Sequence, residues 1–135
     1  MSPRDPSREL RPTEAELAIL GVLWQRGEAT VREVYDALYR DEGAGYTTAL
    51  KLLQVMHAKG LVARNEGQRA HVYRPLISKK AAQRTLMGDL VRRVFDGRPG
   101  ELVLSALGGS RSPSAAELRQ IRDLLDDLER RNVRT

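Results

Sequence analysis

The sequence has no cysteine, and this absence excludes disulfide bonds, thiolate metal sites and cysteine nucleophiles. Aromatic residues are scarce, at 4% of the 135 residues, so a hydrophobic core must consist mainly of aliphatic side chains. No apolar run approaches the roughly 18 residues of a membrane-spanning helix. The charged, proline-containing start of the chain lacks the apolar segment of a secretory signal. We therefore expect a cytoplasmic protein, built as one domain or as a small domain with an oligomerisation segment.

Residues that could perform catalysis or hold a metal ion are also few. The two histidines, His57 and His71, lack the neighbouring groups that metal binding or nucleophilic catalysis requires. Asp126 and Asp127 are adjacent on a predicted helix, so their carboxylates point in different directions and do not form a catalytic pair. The sequence therefore predicts a protein that is not an enzyme and that has no cofactor and no metal site.

Two capping boxes mark the first two predicted helices. The spacing of Thr13 and Glu16 places each side chain on the other residue's backbone N–H, and Thr30 and Glu33 repeat this spacing. Apolar residues at helical spacing follow each box. Gly27 is the predicted end of the first helix, because a glycine tolerates the positive φ that commonly ends a helix.

A third helix and a hairpin follow. The pattern predicts a helix over Thr47–Lys59, with Thr47 as its cap and Gly60 as its end. Two short strands, at residues 61–64 and 70–73, are separated by a polar turn. Helix, helix, helix and basic hairpin, in this order, predict a winged helix-turn-helix.

Charge is distributed unevenly between these segments. Residues 10–44 contain four basic and seven acidic side chains, whereas residues 45–75 contain five basic side chains and one acid. A basic block beside an acidic one is typical of a protein with one face for a polyanion, although an ordinary solvated surface also fits this pattern.

The outer side of the third helix carries Thr47, Thr48, Lys51, Gln54 and Ala58 and no acid. Lysine can donate to guanine and glutamine can pair with adenine, while hairpin arginines bind phosphates. The alternative is that Thr47 only caps the helix and the other side chains face water. The predicted DNA contacts are Tyr46, Thr47, Thr48, Lys51, Gln54, Arg64, Arg69 and Arg74.

The C-terminal part is predicted to be helical, with apolar residues on one side of its helices. Ser78 can cap a helix that Gly97, Pro99 and Gly100 interrupt, and a last helix begins at Ser114 with a leucine spacing suited to helix packing. The predicted dimerisation residues are Leu86, Leu90, Val94, Leu102, Leu104, Leu118, Ile121, Leu125 and Leu128. The predicted organisation is a disordered tail at 1–9, a DNA-binding domain at 10–76 and a helical dimerisation domain at 77–135.

Several stretches resemble the penicillinase-repressor family of bacterial regulators, namely LRPTEAELAILGVLW, GYTTALKLLQVMHAKGLV, HVYRPL, ELVLSAL and AELRQIRDLLDDL. The resemblance implies a mainly α fold with a small β-hairpin wing, which binds a palindromic double-stranded DNA operator as a homodimer and represses transcription. It places the recognition positions on Thr47, Thr48, Lys51 and Gln54. Leu50 and Val55 are apolar where the resistance repressors are expected to carry basic residues, so the operator sequence is expected to differ.

The resemblance also bears on how repression ends. In the resistance branch, a membrane-bound sensor metalloprotease triggers a cut at an Asn-Phe bond. The aligned pair here is Ser105-Ala106, which is the candidate cleavage position although the specific bond is not preserved. The copper-responsive branch uses cysteines, which this chain lacks. The alternative to a repressor is a winged-helix module that binds another protein.

Overall fold

The structure is a computed structural model that describes residues 11–67, 69–109 and 111–133. Its helices are α1 (Glu14–Arg26), α2 (Val31–Leu38), α3 (Tyr46–Lys59), α4 (Lys79–Val94), α5 (Pro99–Leu107) and α6 (Ala115–Val133). A 3₁₀ turn spans Arg40–Glu42, and the strands are β1 (Ala29–Thr30), β2 (Val62–Asn65) and β3 (Val72–Pro75). The tail predicted at 1–9 lies outside the described residues.

The chain divides into two compact units, one ending at Asp89 and the other beginning at Leu90. The division falls within α4, C-terminal to the predicted domain boundary between residues 76 and 77. The first unit contains α1 to α3 and the sheet, and the second contains α5 and α6.

Both predicted capping boxes form. The Thr13 hydroxyl accepts from the Glu16 N–H at 3.2 Å, and the Glu16 carboxylate accepts from the Thr13 N–H at 2.8 Å. Thr30 and Glu33 make the same pair of hydrogen bonds at the start of α2. Gly27 ends α1 with a φ of 88°, a conformation that glycine adopts without a steric penalty. These local predictions are confirmed.

One predicted helix boundary is wrong and another is confirmed. Thr47 does not cap α3, because the helix begins one residue earlier and its cap, Gly45, provides no side-chain hydrogen bond. The predicted break after the helix that follows Ser78 is confirmed, because α4 ends at Val94 and α5 begins at Pro99. Pro99 and Gly100 lie in the first turn of α5. Proline suits that position because its fixed φ is helical and its missing N–H would have no partner there. The turn before it uses Asp96 and Gly97, which both have a positive φ.

A third strand was not predicted from the sequence. β1 pairs antiparallel with β3, which also pairs antiparallel with β2, so the strand order is β1-β3-β2. The hairpin strands lie one or two residues later than predicted. β1 lies directly between α1 and α2 in the chain. Its pairing with β3 therefore attaches the hairpin to these helices and fixes the orientation of the hairpin.

The core of the first unit lies between α1, α2, α3 and the sheet. Its fully buried members are mostly aliphatic, as the scarcity of aromatic residues predicts. The core consists of Ile19, Leu20, Leu23, Ala29, Val31, Val34, Ala49, Leu53, Met56, Leu61, Val62 and Tyr73. Helices α2 and α3 form the helix-turn-helix, and β2 and β3 form the wing, so the predicted winged helix-turn-helix is confirmed.

The second unit buries little. Neither α5 nor α6 contains a fully buried residue among those that the structure describes, although α6 is 19 residues long. The predicted box at Ser114 does form, with Glu117 as its partner. α6 is therefore well capped, whereas α5 has no side-chain cap, and the apolar side chains of both helices remain largely in contact with solvent.

Candidate nucleic-acid interface

The two sides of α3 differ sharply in burial. Ala49, Leu53 and Met56 are completely buried and hold the helix against the core. The predicted outer residues, Thr47, Thr48, Lys51, Gln54 and Ala58, are all exposed. The helix contains no acidic residue, so nothing on it repels a polyanion. The burial pattern therefore leaves the side chains predicted to contact DNA accessible on one continuous surface.

An aromatic and cationic cluster lies at the start of α3. The rings of Tyr46 and Tyr35 meet edge to face, with their centres 5.8 Å apart. The guanidinium of Arg32 lies 5.9 Å from the centre of the Tyr35 ring. Because Gly45 offers no side chain, the first N–H groups of α3 have no side-chain cap. An anion at this end would meet N–H groups that no side chain caps and the positive end of the helix dipole.

The wing contributes cations of two kinds. Arg69 and Arg74 are exposed, and within the described part of the chain they have no carboxylate partner. Arg64 is different, because its Nε donates to a Glu66 carboxylate oxygen at 2.7 Å. Hydrogen bonding with Tyr73 and then with Glu66 raises the pKa of the Arg64 guanidinium. Arg64 is thus held within the wing itself, whereas Arg69 and Arg74 can meet a ligand.

A second cation of the basic block is also used internally. Lys59 Nζ donates to the Glu16 carboxylate at 2.6 Å, and the Glu16 side chain is only 2% exposed. Burial acts most strongly on the pKa of Glu16 and raises it, but the hydrogen bonds from Lys59 and Thr13 together outweigh burial and hold that pKa below its ordinary value. This ion pair joins the last turn of α3 to the first turn of α1. Lys59 therefore positions the helix and is not part of its exposed cationic surface.

A cleft of about 370 Å³ opens between the start of α2, the start of α3 and the wing. Its lining includes three side chains that are cationic or can become so, and no carboxylate. The lining residues are Thr30, Val31, Arg32, Tyr46, Leu50, Arg69, Ala70, His71 and Tyr73. The cleft thus brings the predicted contacts Tyr46 and Arg69 to one place.

Arg32 is not among the contacts predicted from the sequence, because its position in the acidic segment gives no sign of the wing nearby. Only the folding of the wing against α2 brings it beside Arg69. A cation three residues before a tyrosine on a helix was the available local signal.

The histidines lie on different elements. His57 is exposed on α3 and His71 is exposed in the cleft. In the described ranges, no group of three or more His, Asp or Glu side chains is arranged to hold a metal ion.

The predicted dimerisation residues remain largely uncovered. Leu104 is 74% exposed, Val94 61% and Leu125 49%. Leu90, Leu118 and Leu128 are also exposed, and Leu86, Leu102 and Ile121 are half-buried. Apolar side chains at this degree of exposure on three successive helices are typical of a surface that another chain covers. The candidate cleavage pair, Ser105 and Ala106, is exposed within α5.

Fold and surface together define a winged helix-turn-helix protein whose third helix carries no acid and whose wing has two cations without a carboxylate partner in the part of the chain that the structure describes. The profile of the penicillinase repressor family matches residues 12–127. The chain belongs to this family, as the resemblance of its sequence indicated. Across the described residues, no helix is both long and apolar enough to cross a bilayer.

Similar proteins include two named transcriptional regulator BlaI, from Mycobacterium tuberculosis strains CDC 1551 / Oshkosh and H37Rv. Each is 34% identical over 84 residues, which covers 62% of this chain and 61% of the relative. The match thus spans less than two thirds of either relative's length.

Two solved structures are also similar. The DNA-binding domain of the repressor BlaI is 25% identical, with a TM-score of 0.46 over 51% of this chain and 84% of that one. A MarR family protein from Bacillus stearothermophilus is 24% identical, with a TM-score of 0.47 over 94% and 82%.

Proposed function

We propose that the protein is a cytoplasmic transcriptional repressor that binds a palindromic double-stranded DNA operator as a homodimer and blocks access to the promoter. The observation that carries this proposal is the exposed, acid-free side of α3, on which Lys51 has no carboxylate partner among the residues that the structure describes. Membership of the penicillinase repressor family supports it.

In this mechanism, α3 enters the major groove. Lys51 and Gln54 meet base edges, because both side chains are exposed and lysine can donate to guanine while glutamine can pair with adenine. Tyr46, Thr47 and Thr48 lie at its N-terminus, where uncapped N–H groups and the helix dipole favour a backbone phosphate.

The wing lies along the DNA backbone. Arg69 and Arg74 neutralise phosphates without distinguishing bases, and they fix the orientation in which α3 is presented. Arg64 supports the wing through Glu66 and Tyr73 instead of contacting DNA directly.

Two copies are held together by the exposed apolar residues of α4, α5 and α6. Covering these residues with the same set from a second copy removes a large apolar area from water. A twofold dimer presents two recognition helices at a fixed spacing, which is why the operator is palindromic.

Repression ends when a partner sensor metalloprotease causes a cut in α5, which joins two parts of the dimer surface. Ser105 and Ala106 are exposed there, and α5 buries no residue fully, so this helix can open locally without disrupting a core. Mass spectrometry of the chain after incubation with the protease identifies the cut. A cut that leaves α5 intact contradicts this part of the proposal.

A mobility-shift assay with the DNA upstream of the chain's own gene tests the repressor proposal. We expect a discrete complex that resists competitor DNA, and a complex that any competitor abolishes favours a protein-binding module instead. Lys51→Ala should weaken binding and change the operator preference. Lys80→Ala is the matched control, because Lys80 is exposed in the same unit but lies outside the proposed contacts.

A further inference from the structure

Val55 is an apolar residue on the accessible side of α3. Its side chain is 50% exposed, and it belongs neither to the buried core nor to the residues packed against it. Valine is a poorer helix former than alanine, so neither packing nor helix propensity explains its presence here. An exposed β-branched residue beside Lys51 and Gln54 therefore points to a contact outside the chain.

One of the two lysines next to Val55 on the helix is bound to another part of the chain. Thr48, Lys51 and Val55 follow one another at helical spacing and form one stripe. One turn beyond Val55 stands Lys59, whose ammonium group is directed to Glu16. The two methyl groups of Val55 are thus exposed next to a lysine whose ammonium group is bound to Glu16.

Among the base edges of the major groove, only thymine displays a methyl group. A valine cannot donate or accept a hydrogen bond, so it favours that methyl group and gains nothing from the polar edges of the other bases. Resting on the function proposed above, we propose that Val55 contacts the 5-methyl group of a specific thymine in each operator half-site. Val55 is then a specificity-determining residue.

A cycle of protein and DNA variants tests this contact. The operator is first located by footprinting, and each thymine is then replaced in both half-sites by deoxyuridine, which removes only the methyl group. Dissociation constants are measured at one salt concentration for the full chain and for Val55→Ala. Alanine is the better helix former, so this variant should fold, and its melting curve verifies that it does.

We expect one deoxyuridine position to weaken binding of the unchanged chain about fourfold per half-site, the loss for one buried methyl group. The same replacement should have no effect on Val55→Ala. Val55→Thr, which keeps one methyl group, should lie between the two. Thr48→Ala is the matched control, because Thr48 lies on the same stripe about 10 Å away along the helix axis and should not couple to the thymine that couples to Val55.

The outcomes separate this inference from the proposed function. A specific complex in which no thymine position couples to Val55 overturns the inference and leaves the repressor proposal intact. Coupling of Val55 and Thr48 to the same thymine also overturns it, since that indicates a general loss of affinity. If the chain forms no sequence-specific complex with any DNA, both the inference and the proposed function are wrong.

Discussion

The ion pair between Glu16 and Lys59 gives a prediction that can be worked out from its geometry. A single Glu16 carboxylate oxygen accepts from both the Thr13 N–H, at 2.8 Å, and Lys59 Nζ, at 2.6 Å. Glu16→Gln keeps an oxygen that can accept both hydrogen bonds and removes only the charge. Lys59→Met keeps most of the side-chain length and removes the cation. The two variants therefore separate the two halves of the pair.

The two losses should be unequal. In Glu16→Gln, Lys59 is left with its side chain 28% exposed and can be rehydrated, so the cost is about 1–2 kcal/mol, the difference between a charged and a neutral hydrogen bond. In Lys59→Met, a carboxylate that is 2% exposed loses its cation, and breaking a buried pair in this way costs about 3 kcal/mol or more. Protonation of the carboxyl group limits that cost to about 4 kcal/mol at pH 7.

The sign of the pH dependence follows from the lowered pKa of Glu16. A carboxyl group with a lowered folded-state pKa contributes stability above its unfolded pKa and loses it as the pH falls through the folded value. The ordinary value is 4.5, so the contribution is complete near pH 7 and declines below about pH 4.5. Glu16→Gln has no such group, and its stability deficit should shrink between pH 7 and pH 3.

Urea unfolding at a fixed protein concentration measures these differences. The control is Lys51→Met, the same substitution on the same helix at a lysine that has no carboxylate partner among the described residues. It should change the unfolding free energy by less than about 0.5 kcal/mol. The double variant should be less destabilised than the sum of the single variants. A Lys59→Met effect no larger than the control, or a Glu16→Gln deficit that is constant from pH 7 to pH 3, refutes the reasoning.

Three further predictions concern the cap, the wing and the C-terminal helices. Thr30→Ala should lower the unfolding free energy by about 1 kcal/mol in urea, whereas Thr30→Ser should retain the cap; equal losses contradict the capping role. Arg69→Ala should weaken operator and non-operator binding alike in a shift assay, and a change confined to the operator argues against a phosphate contact. Leu125→Lys should reduce the sedimentation mass toward that of one chain, and an unchanged mass excludes this residue from the dimer surface.

Much of the fold was predictable because the decisive signals are local. A capping box connects residues three apart, and a glycine at a helix end acts within one turn, so neither depends on the rest of the molecule. The boxes at Thr13, Thr30 and Ser114 form as predicted. The predicted cap of α3 is wrong because the signal there is not local. Tyr46 packs on Tyr35, a residue of another helix, and is the first residue of α3.

The parts that escaped prediction depend on contacts between distant residues. Strand β1 is two residues long, too short to show an alternating pattern, and exists only because β3 lies beside it. Arg32 becomes part of the cleft only when the wing folds against α2. The number of cations in the basic block overstates the number that a ligand can reach. Lys59 is paired with Glu16, which is 43 residues away and could not be identified from the sequence. Arg64 is paired with Glu66, only two residues away.

These internal ion pairs set a limit on how DNA binding can depend on salt. In each copy, Lys51, Arg69 and Arg74 are the exposed cations of the basic block with no carboxylate partner among the described residues. If each neutralises one phosphate, the slope of log affinity against log salt is at most about −2.7 for one copy and about −5.4 for two. A measured slope steeper than that of one copy exceeds what the basic block of one chain supplies and favours two copies on the operator, and it should fall by nearly 2 when Arg69 is replaced in both. A slope no steeper than that of one copy, in a complex that still distinguishes its operator, would show that a single recognition helix is sufficient and that the apolar surface of α4 to α6 has a different partner.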